Sequence, residues 1–541
     1  MTPALTARRL AVTAADAGAS LAMHAPHLLD PFTAALPVAA DVVGRRLRAA
    51  LVREGLTTPA PDDHVHGFHR VEYAHAGADD PARLLPDGLP GNTTGFAAEL
   101  RNAVVNLALA MARQDRPPRR GGDPDADAVA GERLAVAGHN LHPCGRTRLG
   151  WDTVDVLAHD LEAGQTRVGF LAVRDDVHLG DDLGAALGTA YPGLPAAPPG
   201  FRLQPVHAWQ RDAVVALRHR ELIAAGAVRI LDAELHATPT AALRTVLLPV
   251  TADGARRYLK LSLDIQVTST RRGISVASTR NGPVVSALLH RLAAEDPDAG
   301  RLLLMAETAG AAVPVGPGRD MSAVLRDGLA GRLGPGERAV AGGALPFLAA
   351  GLVAAFAAST GRRDDAAAAG AFLDAYARLL LPPLLRLTVR GVALEAHLQN
   401  CLPTFVDGVP HRLAVRDFAG LRIHPGRLAA AGHDVTLWPG SVVATADEAV
   451  LRAKIGYTAF QAHLGELVLR LGESHGLPED AAWRTVRAVV DETYDALGDA
   501  GRDDHAAFTA PLVPHKALVR MRLTGAGDEY VPVENPLHAP A

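Results

Sequence analysis

Lysine is almost missing from this 541-residue chain: of 54 Lys plus Arg residues, only Lys260, Lys454 and Lys516 are lysine. Arginine takes a solvated position at little cost but does not replace a compact ammonium in a tight site. The three surviving lysines are therefore the first residues to locate. Cysteine is scarcer still. Cys144 and Cys401 are too few for a disulfide framework in a chain of this size, and they exclude a four-cysteine iron–sulfur site within one chain. Long apolar runs are also missing. The most apolar stretch, 344–358, is short for a bilayer crossing and is broken by Pro346 and Gly351, so a buried helix is expected there. Met1-Thr2-Pro3-Ala4-Leu5 has no basic region leading into an apolar core, so no secretory signal is read and a cytoplasmic location is expected. Neither sign of charge dominates. A net charge of −5 points to neither nucleic acid nor an anionic membrane as a partner.

What is present is ordinary for a globular protein: 48% apolar and 21% charged residues, in a chain long enough for two to four domains. Residues 1–130 read as mainly helical, with apolar residues at helical spacing over 45–51 and 95–113. The polar stretch 116–124 is a surface loop or a boundary. Over 131–335 strands are expected at 166–173, 227–231, 244–251 and 258–268, the last two as a hairpin joined across 252–255. From 336 to 541 helices return at 344–358, 366–400 (interrupted at Pro382-Pro383) and 447–472, with a short β element around 411–423. The mixed order gives the class α+β.

Four segments carry chemistry. The loop from Gly138 to Trp151 holds His139, His142, Arg146 and Arg148 within ten residues, enough cationic donors to meet one anion. A zinc site of His139, His142 and Cys144 lacks an evident fourth ligand. Ala242-Leu243-Arg244-Thr245 precedes a strand whose one face would carry Lys260, Ser262, Asp264, Gln266 and Thr268, ending at Arg271-Arg272. A segment of buried character then gains Glu395, His397, Gln399 and Asn400 within six residues, followed by Arg416-Asp417. Buried polar groups without partners cost about 1–3 kcal/mol each, so these must line a site or form a network. Oxygens of Glu395, Asn400 and Asp417 are hard ligands of the kind magnesium prefers. Lys516 stands in a strand-like segment, 514–523. Elsewhere His64, His66, His69 and His75 raise a separate metal question.

Taken in order, these segments resemble the IucA/IucC family of siderophore synthetases that work without a peptide-synthetase assembly line. The pattern GHPxHPxxKxRxG, SxRT, KLSL…ITSxxR, EAHxQN, RDxxG and a C-terminal lysine is followed across residues 138–523. Gly95–Asn106, with Glu99, Asn102 and Asn106, is similar to the family's N-terminal helix. The resemblance implies a cupped hand of thumb (1–130), fingers (131–335) and palm (336–541), as a homodimer. It implies ATP and Mg2+ as cofactors and two small-molecule substrates: a carboxylate of citrate or half-amide type, activated as an acyl adenylate, and an amine or alcohol that displaces AMP. Thr268, Arg272 and His397 would hold the carboxylate, and Lys260 with Arg272 would offset charge on the α-phosphate. His142, Arg146, Arg148, Arg244, Gln399, Asn400 and Lys516 would face the nucleotide, and Glu395, Asp417 and Asn400 the metal.

Three positions depart from the pattern: Asn140 stands for proline, Arg146 for lysine and Ala242 for serine. Two other readings are open to the sequence. One is a small-molecule kinase, with His397, Asn400 and Asp417-Phe418-Ala419-Gly420 as its catalytic and metal segments, though no glycine-rich phosphate loop precedes the lysine strand. The other is a non-catalytic ferric-siderophore binding or reductase-like protein.

Overall fold

The computed structural model describes residues 9–114, 121–188, 190–268, 270–316 and 318–538. Most of the polar break at 116–124, residues 1–5 and Ser269 lie outside them. The α+β class holds. Helices Leu10–His24, Leu29–Arg53 and Thr93–Ala112 form the first layer. Ala39, Val43, Leu47 and Ala50 recur at helical spacing and are buried, as are Leu100, Ala103, Val104 and Leu107 on the facing helix.

Next comes an antiparallel sheet of eight strands. In spatial order these are Leu179–Gly180, Glu307–Ala312, Ala323–Asp327, Arg257–Leu261, Thr245–Leu247, Val228–Pro239, Thr166–Arg174 and Phe201–His207. The expected hairpin is present, pairing Thr245 with Lys260 and Leu247 with Tyr258. The single strand expected over 258–268 is not. The chain leaves the sheet at Ser262, whose buried Oγ accepts from the backbone N–H of Ile274 and of Ser322. Leu263–Val267 then pairs with Thr270–Arg272 in a separate hairpin, and Leu263, Ile265 and Val267 pack on the N-terminal helices. Lys260 and Asp264 therefore do not share one face. Lys260 is buried in the large sheet, while Asp264 pairs with Arg218 and Arg271.

The last layer is built on helices Leu345–Thr360, Ala366–Val389, Gly465–His475 and Glu479–Leu497 around a four-stranded sheet: Leu302–Leu304, Val409–Val415, Cys401–Val406 and Arg338–Ala339. Helix Ala366–Val389 runs straight through Pro382-Pro383 and ends at Val389, eleven residues before the expected end at 400. Gly391 then turns the chain with a φ of 92°. Helix Leu345–Thr360 buries only one face, through Leu345, Ala349, Val353, Phe356 and Ala357, and leaves Phe347 57% exposed. By length and composition, Gly342–Thr360 and Ala366–Val389 are long and apolar enough to cross a membrane. Core sharing does not stop at residue 335. Val285, Leu288, Leu289, Leu292 and Leu304 lie in the same core as the C-terminal helices. Lys516 closes a strand, Leu512–Lys516, and 518–524 is helix where strand was expected.

Candidate active site

The three lysines locate the site. Lys260 reaches Asp417 Oδ1 at 2.5 Å, Lys454 reaches Glu395 Oε1 at 2.9 Å, and Lys516 reaches Asp528 Oδ1 at 2.7 Å. Two of these acids are the expected metal ligands. Lys260 comes from the middle of the large sheet, Glu395 and Asp417 from loops of the last layer, and Lys516 from the C-terminal hairpin. Lys454, Arg326, Glu132 and Asp528 were not picked out as site residues. Lys454 carries a signal in its rarity, and Arg326 in following the apolar run Ala323-Val324-Leu325; Asp528 in its turn carries none.

The segment 394–400 is irregular rather than helical. It is tied down from several sides. His463 contacts the Ala396 carbonyl at 3.0 Å and the Tyr376 hydroxyl at 2.7 Å. Asn400 donates its amide to the Glu395 carbonyl at 3.0 Å. Arg416, buried, donates to the Gln399 carbonyl through Nε at 3.1 Å and pairs with Glu132. Glu132 in turn accepts from the Ala241 N–H at 2.7 Å, next to the segment that carries Arg244. Arg416 is thus a positioning residue that holds Asp417 and the 395–400 loop against 241–245. Gly420 makes room for the acid: a Cβ there would stand 1.9 Å from Glu395 Oε2.

Asp417 sits at φ 66°, a left-handed conformation uncommon outside glycine. Leu243 and Thr268, beside Arg244 and Arg272, share that feature at 60° and 55°. Such strain costs of order 1–3 kcal/mol per residue and persists only where the surroundings enforce it. Burial opposes ionisation of Asp417, but Lys260, Arg326 and Arg244 outweigh it and hold the carboxyl far below its usual range. Glu395 is held low in the same way, against burial, by Lys454 and then His397. Burial pushes the His397 imidazole down despite Glu395 beside it, so it is neutral at neutral pH.

The positive groups outnumber what the acids neutralise. Among the described residues neither Arg244 nor Arg272 forms an ion pair. Arg244 donates only to the carbonyls of Arg272 and Gly273 at 3.4 Å, and Arg272 to Thr268 Oγ1 at 3.1 Å. Burial and then the neighbouring Arg244 push Arg272 down to about 10. His142, whose Nδ1 accepts from the Cys144 N–H at 2.9 Å, feels the same cation: burial, then Arg272, pushes it down to about 3.

Arg146 and Arg148 differ from the expectation of free donors. Arg146 pairs with Asp160 at 3.2 Å and with Glu162, and Arg148 with Asp160 at 2.8 Å, all of them buried. Their cationic charge is matched by acids that the loop's own sequence does not show. Asn102 accepts from the Arg148 N–H at 2.7 Å and so fixes the loop. Asn140, in the proline position, donates to the Ala462 carbonyl at 2.9 Å and to Glu466 at 3.1 Å. The His139–His142–Cys144 set is not gathered around a common point among the described residues. Gln399 points its side chain outward, exposed.

This geometry can be set beside known proteins. The family model described as IucA / IucC family matches residues 127–346, which hold Arg244, Lys260, Thr268 and Arg272. Over this stretch, 220 of the 541 residues, the chain is similar to the IucA/IucC family. A second model, Ferric iron reductase FhuF-like transporter, matches residues 370–531, a stretch with Cys401 as its single cysteine. An uncharacterised protein, y4xN, of Sinorhizobium fredii is 30% identical over 59% of this chain and 54% of its own, so the chain spans about half of that relative. D-ornithine–citrate ligase of Staphylococcus aureus is 22% identical over 88% of this chain and 81% of its own. Among solved structures, the petrobactin biosynthesis protein AsbB of Bacillus anthracis superposes with a TM-score of 0.78 at 18% identity, covering 95% of this chain and 97% of its own. ATP-bound aerobactin synthetase IucA of Klebsiella pneumoniae gives 0.72 at 19% identity, covering 92% and 99%. At these identities the two structures speak for the fold.

Proposed function

We propose that this protein is a member of the IucA/IucC family and a siderophore-type ligase that uses ATP to activate a carboxylate of citrate or half-amide type and joins it to an amine or alcohol. The observation that carries the reading is the pair of unneutralised guanidiniums, Arg244 and Arg272, beside Lys260. Half-buried cations without a counter-charge are costly, and a polyanionic ligand supplies what is missing. The relative named as a citrate ligase and the ATP-bound synthetase of the same fold support that choice of ligands.

In this mechanism Arg272, Thr268 and His397 bind the substrate carboxylate and aim one oxygen at the α-phosphorus. That oxygen forms the new P–O bond while pyrophosphate leaves. Lys260, Arg244 and Arg272 offset the negative charge that grows on the α-phosphate, in place before the reaction begins. The amine nitrogen or alcohol oxygen of the second substrate then attacks the acyl carbon, and AMP leaves. Neutral His397 can take the proton released by the nucleophile. Lys454 and Lys516 exchange carboxylate for phosphate contacts as the nucleotide enters. Glu395, Asp417 and Asn400 fit a magnesium ion by their chemistry, with oxygen donors on partly exposed carboxylates (26% and 21% of the side chain). Bound there, the ion would neutralise phosphate charge. A thumb, fingers and palm over 1–130, 131–335 and 336–541, a homodimer and a cytoplasmic location belong to the same proposal.

The test is the nucleotide product across a panel of citrate, succinate, 2-oxoglutarate and their half-amides, with hydroxylamine as trap. Carboxylate-dependent AMP and a hydroxamate are expected. ADP as the product would instead support a kinase, and no product with any member would reject the ligase.

A further inference from the structure

We propose a second metal site, outside the candidate active site, formed by His64, His66 and Glu479 and suited to a divalent transition metal of the zinc, cobalt or nickel kind. One ligand atom of each residue lies within 4.8 Å of the others, the one such group of three among the described residues. His64 immediately precedes, and His66 ends, the first strand of the short hairpin Val65–His66/Arg70–Val71, and Glu479 begins helix Glu479–Leu497, more than 400 positions later. Of the four histidines in the loop, His69 and His75 stand outside the group.

Several features prepare these residues to ligate. The Glu479 carboxylate is fixed by the N–H of Gly67 at 2.8 Å and the Trp483 indole at 3.1 Å, both on Oε1, while Oε2 faces His66 Nδ1 at 2.7 Å. The His64 and His66 rings meet edge to face at 4.4 Å. Phe68 and His69 hold left-handed φ values of 58° and 55°, the same local strain seen around Asp417. Two imidazoles and one carboxylate are borderline donors that favour zinc-like ions over magnesium, and three protein ligands leave a position for water or a fourth group. Metal–nitrogen bonds near about 2 Å would draw the three atoms together by small side-chain rotations. The site would staple the N-terminal part of the chain to the C-terminal helices, because His64 and His66 have no covalent neighbour near Glu479.

Trp483 gives a direct readout. Titrating Co2+ or Ni2+ into the full-length protein is expected to quench Trp483 fluorescence at one equivalent, with a visible Co2+ band that Zn2+ displaces. In His64→Ala and in Glu479→Gln the affinity is expected to fall about tenfold or more. The His64→Ala, His66→Ala double variant loses the band, and a Trp483→Phe variant keeps the band but loses the quenching. His64 is exposed, so His64→Ala is expected to keep the wild-type circular dichroism. No one-equivalent binding, or binding unchanged in the folded double variant, would overturn the proposal.

Discussion

At the residue scale, each of the three lysines meets a carboxylate, and two of these acids belong to the candidate site. Lys260→Arg should therefore not be conservative. A planar fork does not fit where a buried point charge sits 2.5 Å from Asp417. We expect kcat to fall at least tenfold with the fold intact, as judged by circular dichroism. Arg272→Ala and His397→Ala should each lower kcat/KM by about 100-fold or more, in line with removal of one preorganised donor at a reacting centre. Arg146→Ala, by contrast, should lower the melting temperature, because it strands the buried Glu162 carboxylate and leaves Asp160 to Arg148 alone. Wild-type thermal stability in that variant would contradict its structural assignment.

At the element scale, the sequence marks the clustered polar residues more clearly than the backbone that carries them. The helix expected over 366–400 stops at Val389, and Glu395 to Asn400 form an irregular loop because Gly391 ends the regular backbone with a positive φ. Pro382-Pro383 suggested an interruption. The helix continues because Leu379, Leu380, Leu381, Leu384 and Leu385 are all buried, and that packing outweighs the lost hydrogen bonds. Alternation over 258–268 suggested one strand, since a break at Ser262 depends on Ser322 and Ile274, which are distant in sequence. The acids facing Arg146 and Arg148 were hidden for the same reason. Gly420 offers a test at this scale. A methyl group there collides with Glu395, so Gly420→Ala should raise the KM for MgATP severalfold while leaving secondary structure unchanged.

At the scale of the whole molecule, the ends of the chain are fastened together. Glu54 accepts from the N–H groups of Val519 and Arg520, and Glu99 pairs with Arg522. Glu466 adds another tie, pairing with Arg70 at 2.8 Å and Arg470 at 3.0 Å and accepting from Asn140. Burial opposes its charge, yet Arg70 and Arg470 hold it down at about 2. A depressed carboxyl contributes stability that is complete above its ordinary value of 4.5 and is lost as pH falls toward that lower value. Glu466→Gln should thus melt earlier at neutral pH and lose less stability than wild type on acidification. Parallel melting curves for the two proteins across that range would contradict this.

The central claim is that the site activates a carboxylate by adenylation. It is tested most directly by exchange of radiolabelled pyrophosphate into ATP. With a citrate-type carboxylate and no amine present, the wild-type protein should catalyse exchange that needs both magnesium and the carboxylate, and Arg272→Ala should not. Absence of exchange with every carboxylate of the panel, or equal exchange in Arg272→Ala, would contradict the account.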